Sequence, residues 1–438
     1  MRRLNKIFPQ LGAQWANLIL MIGISSTLIV SGAYTIWPLA FSLIGLIVWL
    51  RNKPARQKWF ADPEVSAARR LLLSSFFCFI TVSISLGLYH KNPAGGYQAV
   101  LPFAIYPILA GAIVHHRVDP FWFWVGTSIG AVAAAFFAGF QIFIQGLTRA
   151  HGLINPITFG DTAVVLCAAC LIGLSHLDFS QPENRNLKSW LIAGSFCGMT
   201  ASLLSGSKGG WLSLCTVSFF AIGKMVRPLN FARKIATLGL IVSLSAIAFA
   251  VTPKSTLQGR LESGWQGLRT WLKTGEVTEM SVSIRMELWA AGLQIFKENP
   301  WFGSGHELTQ KRRLDLAASG QFSPRLAEIK TFDNEYINKL ANGGILGILP
   351  SILLFALPFL AFYRFRNHEN SSIRALGILG MFLPILYMEF GISVAIFGTN
   401  AFRQVYASWL ITLIALIAVT AQDNSENPIR NKSYFSAE

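Results

Sequence analysis

A chain of 438 residues with 53% hydrophobic and 13% charged residues holds more apolar side chains than a water-soluble domain buries, which excludes a soluble or disordered protein. Its formal net charge of +16 does not point to nucleic acid, because in so apolar a chain Lys and Arg report orientation in a membrane. The reading is an all-α polytopic membrane protein whose surroundings are membrane lipids.

A span needs roughly 20 mainly apolar residues to cross about 30 Å of hydrocarbon. Twelve segments qualify, at 16–33, 34–50, 71–89, 97–115, 120–145, 160–177, 189–205, 210–224, 234–252, 343–363, 373–396 and 402–420. They divide the chain into nine spans within 1–252, a polar interval at 253–342, three spans within 343–420, and a tail at 421–438. No small-residue cleavage site follows the first apolar stretch, so it reads as a retained span.

Basic residues cluster on one side of this arrangement. Arg2, Arg3 and Lys6 precede the first span; Arg51, Lys53, Arg56, Lys58, Arg69 and Arg70 follow the second; Arg117 follows the fourth. Lys224, Arg227, Arg233 and Lys234, then Arg364, Arg366 and Arg374, then Arg430 and Lys432 continue the pattern. That side is the cytoplasm by the positive-inside rule, with both termini on it, and the polar interval faces the opposite, non-cytoplasmic side. Several cations break the rule there: Arg149, Lys208, Arg285, Lys311, Arg312 and Arg313. A bound anion explains them, as does placement at the headgroup level. All five cysteines fall inside spans, and Cys167 and Cys170 read as small residues for helix packing.

The polar interval has its own order. SVSIRMELWAAGLQIFK at 281–297 places Ile284, Leu288, Ala291 and Ile295 at helical spacing, with Asn299-Pro300 ending the run. WFGSGH at 301–306 is a turn, and 308–318 predicts a second, basic helix. TFDNEYINKLANGGILGIL then passes from a polar cluster into the tenth span without a break, which puts Asp333, Asn334 and Glu335 at the membrane surface.

RMELW at Arg285, NPWFGSG at Asn299 and DNEYINKLANGGILG at Asp333 together resemble the O-antigen ligase and polymerase superfamily of bacterial envelope glycosyltransferases. TRAHGLINPITFGD from Thr148 and SGSKGGW from Ser205 extend the resemblance, which covers roughly 146–365 in order on one face. It implies an inverting, metal-independent enzyme without cofactor that sits in a bacterial inner membrane with its active site facing the periplasm and transfers a glycan from undecaprenyl diphosphate. The acceptor is lipid A-core for a ligase, a growing glycan for a polymerase, or a Ser or Thr hydroxyl for a protein oligosaccharyltransferase. Arg285 matches the family's arginine on the amphipathic helix, and Lys208 stands where the family has a loop arginine, supplying charge without the bidentate fork. Asp333-Asn334 stands where ligases carry His-Asn, the histidine being the base on the acceptor hydroxyl; polymerases often have Asp-Asn.

The remaining candidates carry two readings each. Asp333 or His306 is the general base, His306 otherwise being a solvated turn residue. Arg149 holds phosphate or sits at the interface; Asn334, Glu335 and Tyr336 contact substrate, or Asn334 caps the tenth helix. Glu389, an ionisable group inside a span, binds substrate or partners Arg403. Phe332, Trp265, Trp271 and Trp301 stack on sugar or belong to an interfacial belt. A transporter of lipid-linked oligosaccharide would share the composition, but related halves around a midplane site are not visible here.

Overall fold

A computed structural model of the protein describes residues 4–51, 62–180, 182–226, 258–274 and 282–426. The predicted ninth span at 234–252, most of the basic stretch after the second span, and most of the tail lie outside the described residues. The described residues form helices without strands. In chain order they are α1 (Leu4–Ser25), α2 (Ala33–Arg51), α3 (Pro63–Tyr89), α4 (Pro93–Ile105), α5 (Leu109–His115), α6 (Pro120–Gly139) and α7 (Pro156–His176). Then follow α8 (Pro182–Ser205), α9 (Lys208–Val226), α10 (Gln258–Thr274), α11 (Ser283–Glu298), α12 (Gly305–Ala318), α13 (Glu335–Tyr363), α14 (Ser371–Phe390) and α15 (Asn400–Glu426).

Among the described residues nine helices are long and apolar enough to cross a membrane, so the protein is a polytopic membrane protein. α4 and α5 make one of these, bent at Tyr106–Ile108 where Pro102 and Pro107 cannot donate to the ladder. α1 offers an apolar stretch only over Gly12–Ser25, and α9 covers the predicted eighth span.

Helix starts follow a repeated local rule. Asp62, Asp119 and Asn155 each precede a proline and accept a backbone N–H, from Val65, Phe121 and Thr158 respectively. The side chain satisfies an orphan donor and the fixed proline φ suits the first helical position. Where helices cross, glycine permits close approach. A Cβ on Gly45 would collide with the carbonyl of Ile108, and Gly194 and Gly198 pack on Cys170 and Cys167, so the cysteine pair serves helix packing as expected. α15 is buried along nearly all its length, with α2, α3, α4, α5, α7 and α14 around it.

One end of this bundle carries α10, α11, α12 and the short turn Pro324–Glu328. Ile284, Leu288, Ala291 and Ile295 of α11 are the buried residues that the sequence predicts, and they pack with Ala317, Leu326, Phe332 and Ala341 into a small separate core. α12 begins at Gly305, slightly before the expected start. α10 was not predicted: Gly259, Gly264 and Gly267 lower its helix propensity, and Gly264 lies under Lys208.

α13 corrects the expectation of an unbroken helix. Gly344 has φ 64 and ψ −156, a conformation open almost only to glycine. The break frees the amides of Ile345 and Leu346, which donate to the carbonyls of Pro300 (2.8 Å) and Trp301 (3.1 Å). The WFGSG turn is thereby locked onto the spanning helix. Gly344→Ala would put Cβ 2.5 Å from the Trp301 backbone and is expected to cost about 1–3 kcal/mol or more. A thermal unfolding midpoint in detergent equal to wild type would remove this role.

Candidate functional site

Two elements bring the principal candidates together. Asn334 caps α13, accepting from the amides of Tyr336 (2.9 Å) and Ile337 (3.0 Å) while its Nδ2 donates to the carbonyl of Ile392 (3.1 Å). This fixes the residue before it. Asp333 is held at φ 46, an uncommon conformation for a residue with a side chain, and Thr331 donates to its Oδ1 at 3.1 Å. Its other oxygen lies 3.7 Å from Nε of Arg285, which projects from the first turn of α11; the side chains are 30% and 17% exposed. A half-buried ion pair of this looseness leaves both groups able to meet a ligand.

The predicted Arg149 and Lys208 join this region through backbone anchors. Gln141 lies buried in the π turn Phe140–Ile144; its amide bonds the carbonyl of Gly152 and the amides of His151 and Gly152, at 2.9 to 3.0 Å. That loop then docks on the end of α8, with Ala150 N–H on the carbonyl of Leu204 and Arg149 Nε on the carbonyl of Ser205 (2.8 Å). Lys208 opens α9 and reaches Gly264 of α10.

At the meeting point is Asp161, fully buried in the first turns of α7, to which Ser207 Oγ donates at 2.5 Å. The charges of Arg285 and Arg149 both reach its carboxyl, and Gly209 and Gly210 leave room beside it. Asp161 is a site residue the sequence reading passed over. Its signal was present: a carboxylate inside an apolar run is rare and marks a functional or paired group.

The other candidates do different work. Glu335 is 0% exposed; its amide donates to Gly391 (2.7 Å), its Oε2 accepts from Phe397 N–H (3.0 Å), and Lys339 Nζ lies 3.8 Å from Oε1. It braces the start of α13 against the segment before α15. Tyr336 donates to the carbonyl of Met388 (2.8 Å). Glu389 does not pair with Arg403; it accepts from Thr216 of α9 at 2.6 Å, whereas Arg403 donates to the carbonyl of Phe397 at 2.7 Å. His306 and Arg403 line a cavity that Asp333 does not line. Trp265 and Trp301 are exposed, and Phe332 belongs to the small core of the capping layer.

Glu287, two residues beyond Arg285, holds the connection to Pro324–Glu328 by accepting from Ser323 N–H at 3.0 Å. Burial pushes its carboxyl above the ordinary value, and the Ser323 bond offsets part of that. A raised folded-state value favours folding while the group is protonated, and this contribution is lost as pH rises through the ordinary and then the raised value. Glu287→Gln keeps an acceptor for Ser323, so it should raise the unfolding midpoint more at about pH 7.5 than at about pH 4. Equal effects at both pH values would contradict this assignment.

Residues 193–352 match the family model described as O-antigen ligase. The matched stretch runs from α8 into α13 and contains Lys208, Arg285, His306, Asp333, Asn334, Glu335 and Tyr336; Arg149, Asp161, Glu389 and Arg403 lie outside it. A protein of Haemophilus influenzae described as uncharacterized is 22% identical over 407 residues, covering 91% of this chain and 97% of that protein.

Proposed function

We propose that the chain, whose residues 193–352 match the O-antigen ligase family model, is a member of the O-antigen ligase and polymerase superfamily and acts as an O-antigen ligase, joining a glycan carried on undecaprenyl diphosphate to lipid A-core. The observation that carries this reading is the Arg285–Asp333 pair, set at the start of a spanning helix beside Arg149 and Lys208. In this reading that end of the bundle faces the periplasm and the termini are cytoplasmic, in accord with the distribution of Lys and Arg.

Asp333 accepts the proton of the acceptor hydroxyl as its oxygen attacks the anomeric carbon from the face opposite the diphosphate. The bond from that carbon to the diphosphate oxygen breaks, the electron pair leaves with undecaprenyl diphosphate, and the configuration inverts. Arg285, Arg149 and Lys208 supply fixed positive charge to the departing diphosphate, the work a divalent cation does in other transferases. Asp161 and Ser207 position this cation cluster from below, since the carboxylate is reached by two of its three charges.

The second reading, a polymerase lengthening lipid-linked repeat units, is favoured by Asp333-Asn334 in the place where ligases carry His-Asn. Donor chemistry is the same, so the acceptor distinguishes them. In a strain lacking the chain, a ligase predicts loss of all capped lipopolysaccharide while long glycan accumulates on undecaprenyl diphosphate. Single repeat units on lipid A-core with no longer bands would establish the polymerase instead. Unchanged banding and an unchanged lipid-linked pool would reject both.

Arg285→Ala is expected to lower transfer by at least about a hundredfold, and Asp333→Asn comparably, with normal membrane insertion. Wild-type turnover in Arg285→Ala would remove it from the site; near-normal turnover in Asp333→Asn would shift the base to another group.

A further inference from the structure

Along the first turns of α13 lies a cavity of about 380 Å³ between α3, α4, the start of α12 and the start of α15, which neither Arg285 nor Asp333 lines. Val82, Leu86 and Pro350 form its apolar part, and Asn338, Asn342, Gln98, His306, Lys339 and Arg403 its polar part. No carboxylate lines it. His306, Asn338 and Asn342 also line a narrower recess beside it, which adds Arg313 and Lys330, again without a carboxylate.

Three buried polar atoms of these two recesses have no hydrogen-bond partner. Arg403 is 8% exposed and Arg313 2% exposed, yet Nε of each has no hydrogen-bond partner. Burial lowers the Arg313 guanidinium from its usual range, as expected for a cation held without a matching anion. Asn342 Oδ1, shared by the two recesses, is likewise a buried acceptor without a donor. A buried donor without a partner is unfavourable, and an oxyanion reaching either guanidinium would satisfy it. Glu335 is not among the lining residues; its carboxylate lies 3.8 Å from Lys339 Nζ, accepts from the amide of Phe397, and its charge also reaches Arg403, leaving one carboxylate for two cations.

We propose that this cavity is a second binding site, separate from the Arg285–Asp333 pair, for a phosphorylated sugar headgroup of a lipid-anchored glycan. Arg403 and Lys339 take the phosphate, the side-chain amides take the sugar hydroxyls, and the apolar part between α3 and α13 takes the base of the lipid. The proposal rests on the transfer reading only for which substrate brings the headgroup: the phosphorylated glucosamine of an acceptor, or the diphosphate-linked sugar of the donor. Its place along the first turns of α13, the helix that Asp333 precedes, suits the acceptor.

The test uses the full chain in lipid nanodiscs and measures binding, which needs no turnover. The probes are the phosphorylated glucosamine disaccharide of lipid A, the same disaccharide without phosphate, and undecaprenyl diphosphate. Arg403→Gln removes the guanidinium and its unpartnered Nε. Gly398→Leu fills the space while leaving every cation in place, since a Cβ there meets only Ala395 at 3.5 Å. Each variant should weaken binding of the phosphorylated disaccharide at least tenfold, and removal of the phosphate should do the same to the wild type. If undecaprenyl diphosphate binding falls tenfold in both variants instead, the cavity holds the donor headgroup. Wild-type affinity of both variants for both phosphorylated probes, or indifference to the phosphate, would overturn the proposal. A wild type that binds through Arg403 but transfers no glycan would sink the transfer reading and leave this one standing.

Discussion

Within hydrocarbon a backbone amide has no water to turn to, so any break in a spanning helix must be repaired by another part of the chain. Gly344 makes such a break, and the repair comes from Pro300 and Trp301 at the end of α11. Much of the capping layer follows from it. The turn 301–304 cannot shift without unpairing amides of α13; Ser304 N–H is tied to the carbonyl of Ala341, and Thr309 of α12 to the same carbonyl. α11 and α12 are thus registered on α13 by main-chain bonds, and the small apolar core around Leu288 and Phe332 only has to fill the space between them.

α13 then acts as a partition. Before its first turn stands Asp333, facing Arg285; around its second turn stand Lys339, Asn338 and Asn342, facing the cavity with Arg403. Glu335 sits between, buried, with bonds that reach Gly391 and Phe397. A buried carboxylate is costly unless its partners are in place. Its partners here are the segment that joins α14 to α15 and the lysine one turn later, so the two faces are held at one fixed separation. In the ligase reading that separation is the distance between the leaving diphosphate and the anchoring phosphate of the acceptor.

Where local pattern decides, the sequence was legible. The apolar stripe of α11 survives intact because an amphipathic helix on a surface keeps its period, and Asn334 caps α13 because a side-chain acceptor at a helix start is a local matter. Nine of the predicted spans coincide with long apolar helices among the described residues, whereas the first, expected at 16–33, ends as a helix at Ser25. What failed was tertiary. ANGGILGIL reads as a continuous apolar helix, and only the approach of Trp301 makes Gly344 a break. Glu389 and Arg403 looked like natural partners on adjacent spans, but helix rotation turns one to Thr216 and the other to Phe397. Asp161 needed the opposite correction: the carboxylate was plain in the text, and its meaning came from loops at 149 and 207 that sequence distance hides.

α15 follows in sequence every helix it touches, yet it lies at the centre of the bundle. During synthesis the earlier helices enter the bilayer around a slot they cannot fill, with the partners of Tyr387, Tyr106 and Leu354, which are Phe402, Gln404 and Tyr406, not yet made. The cavity that Arg403 lines is therefore incomplete until this last helix has been made and has entered the bundle.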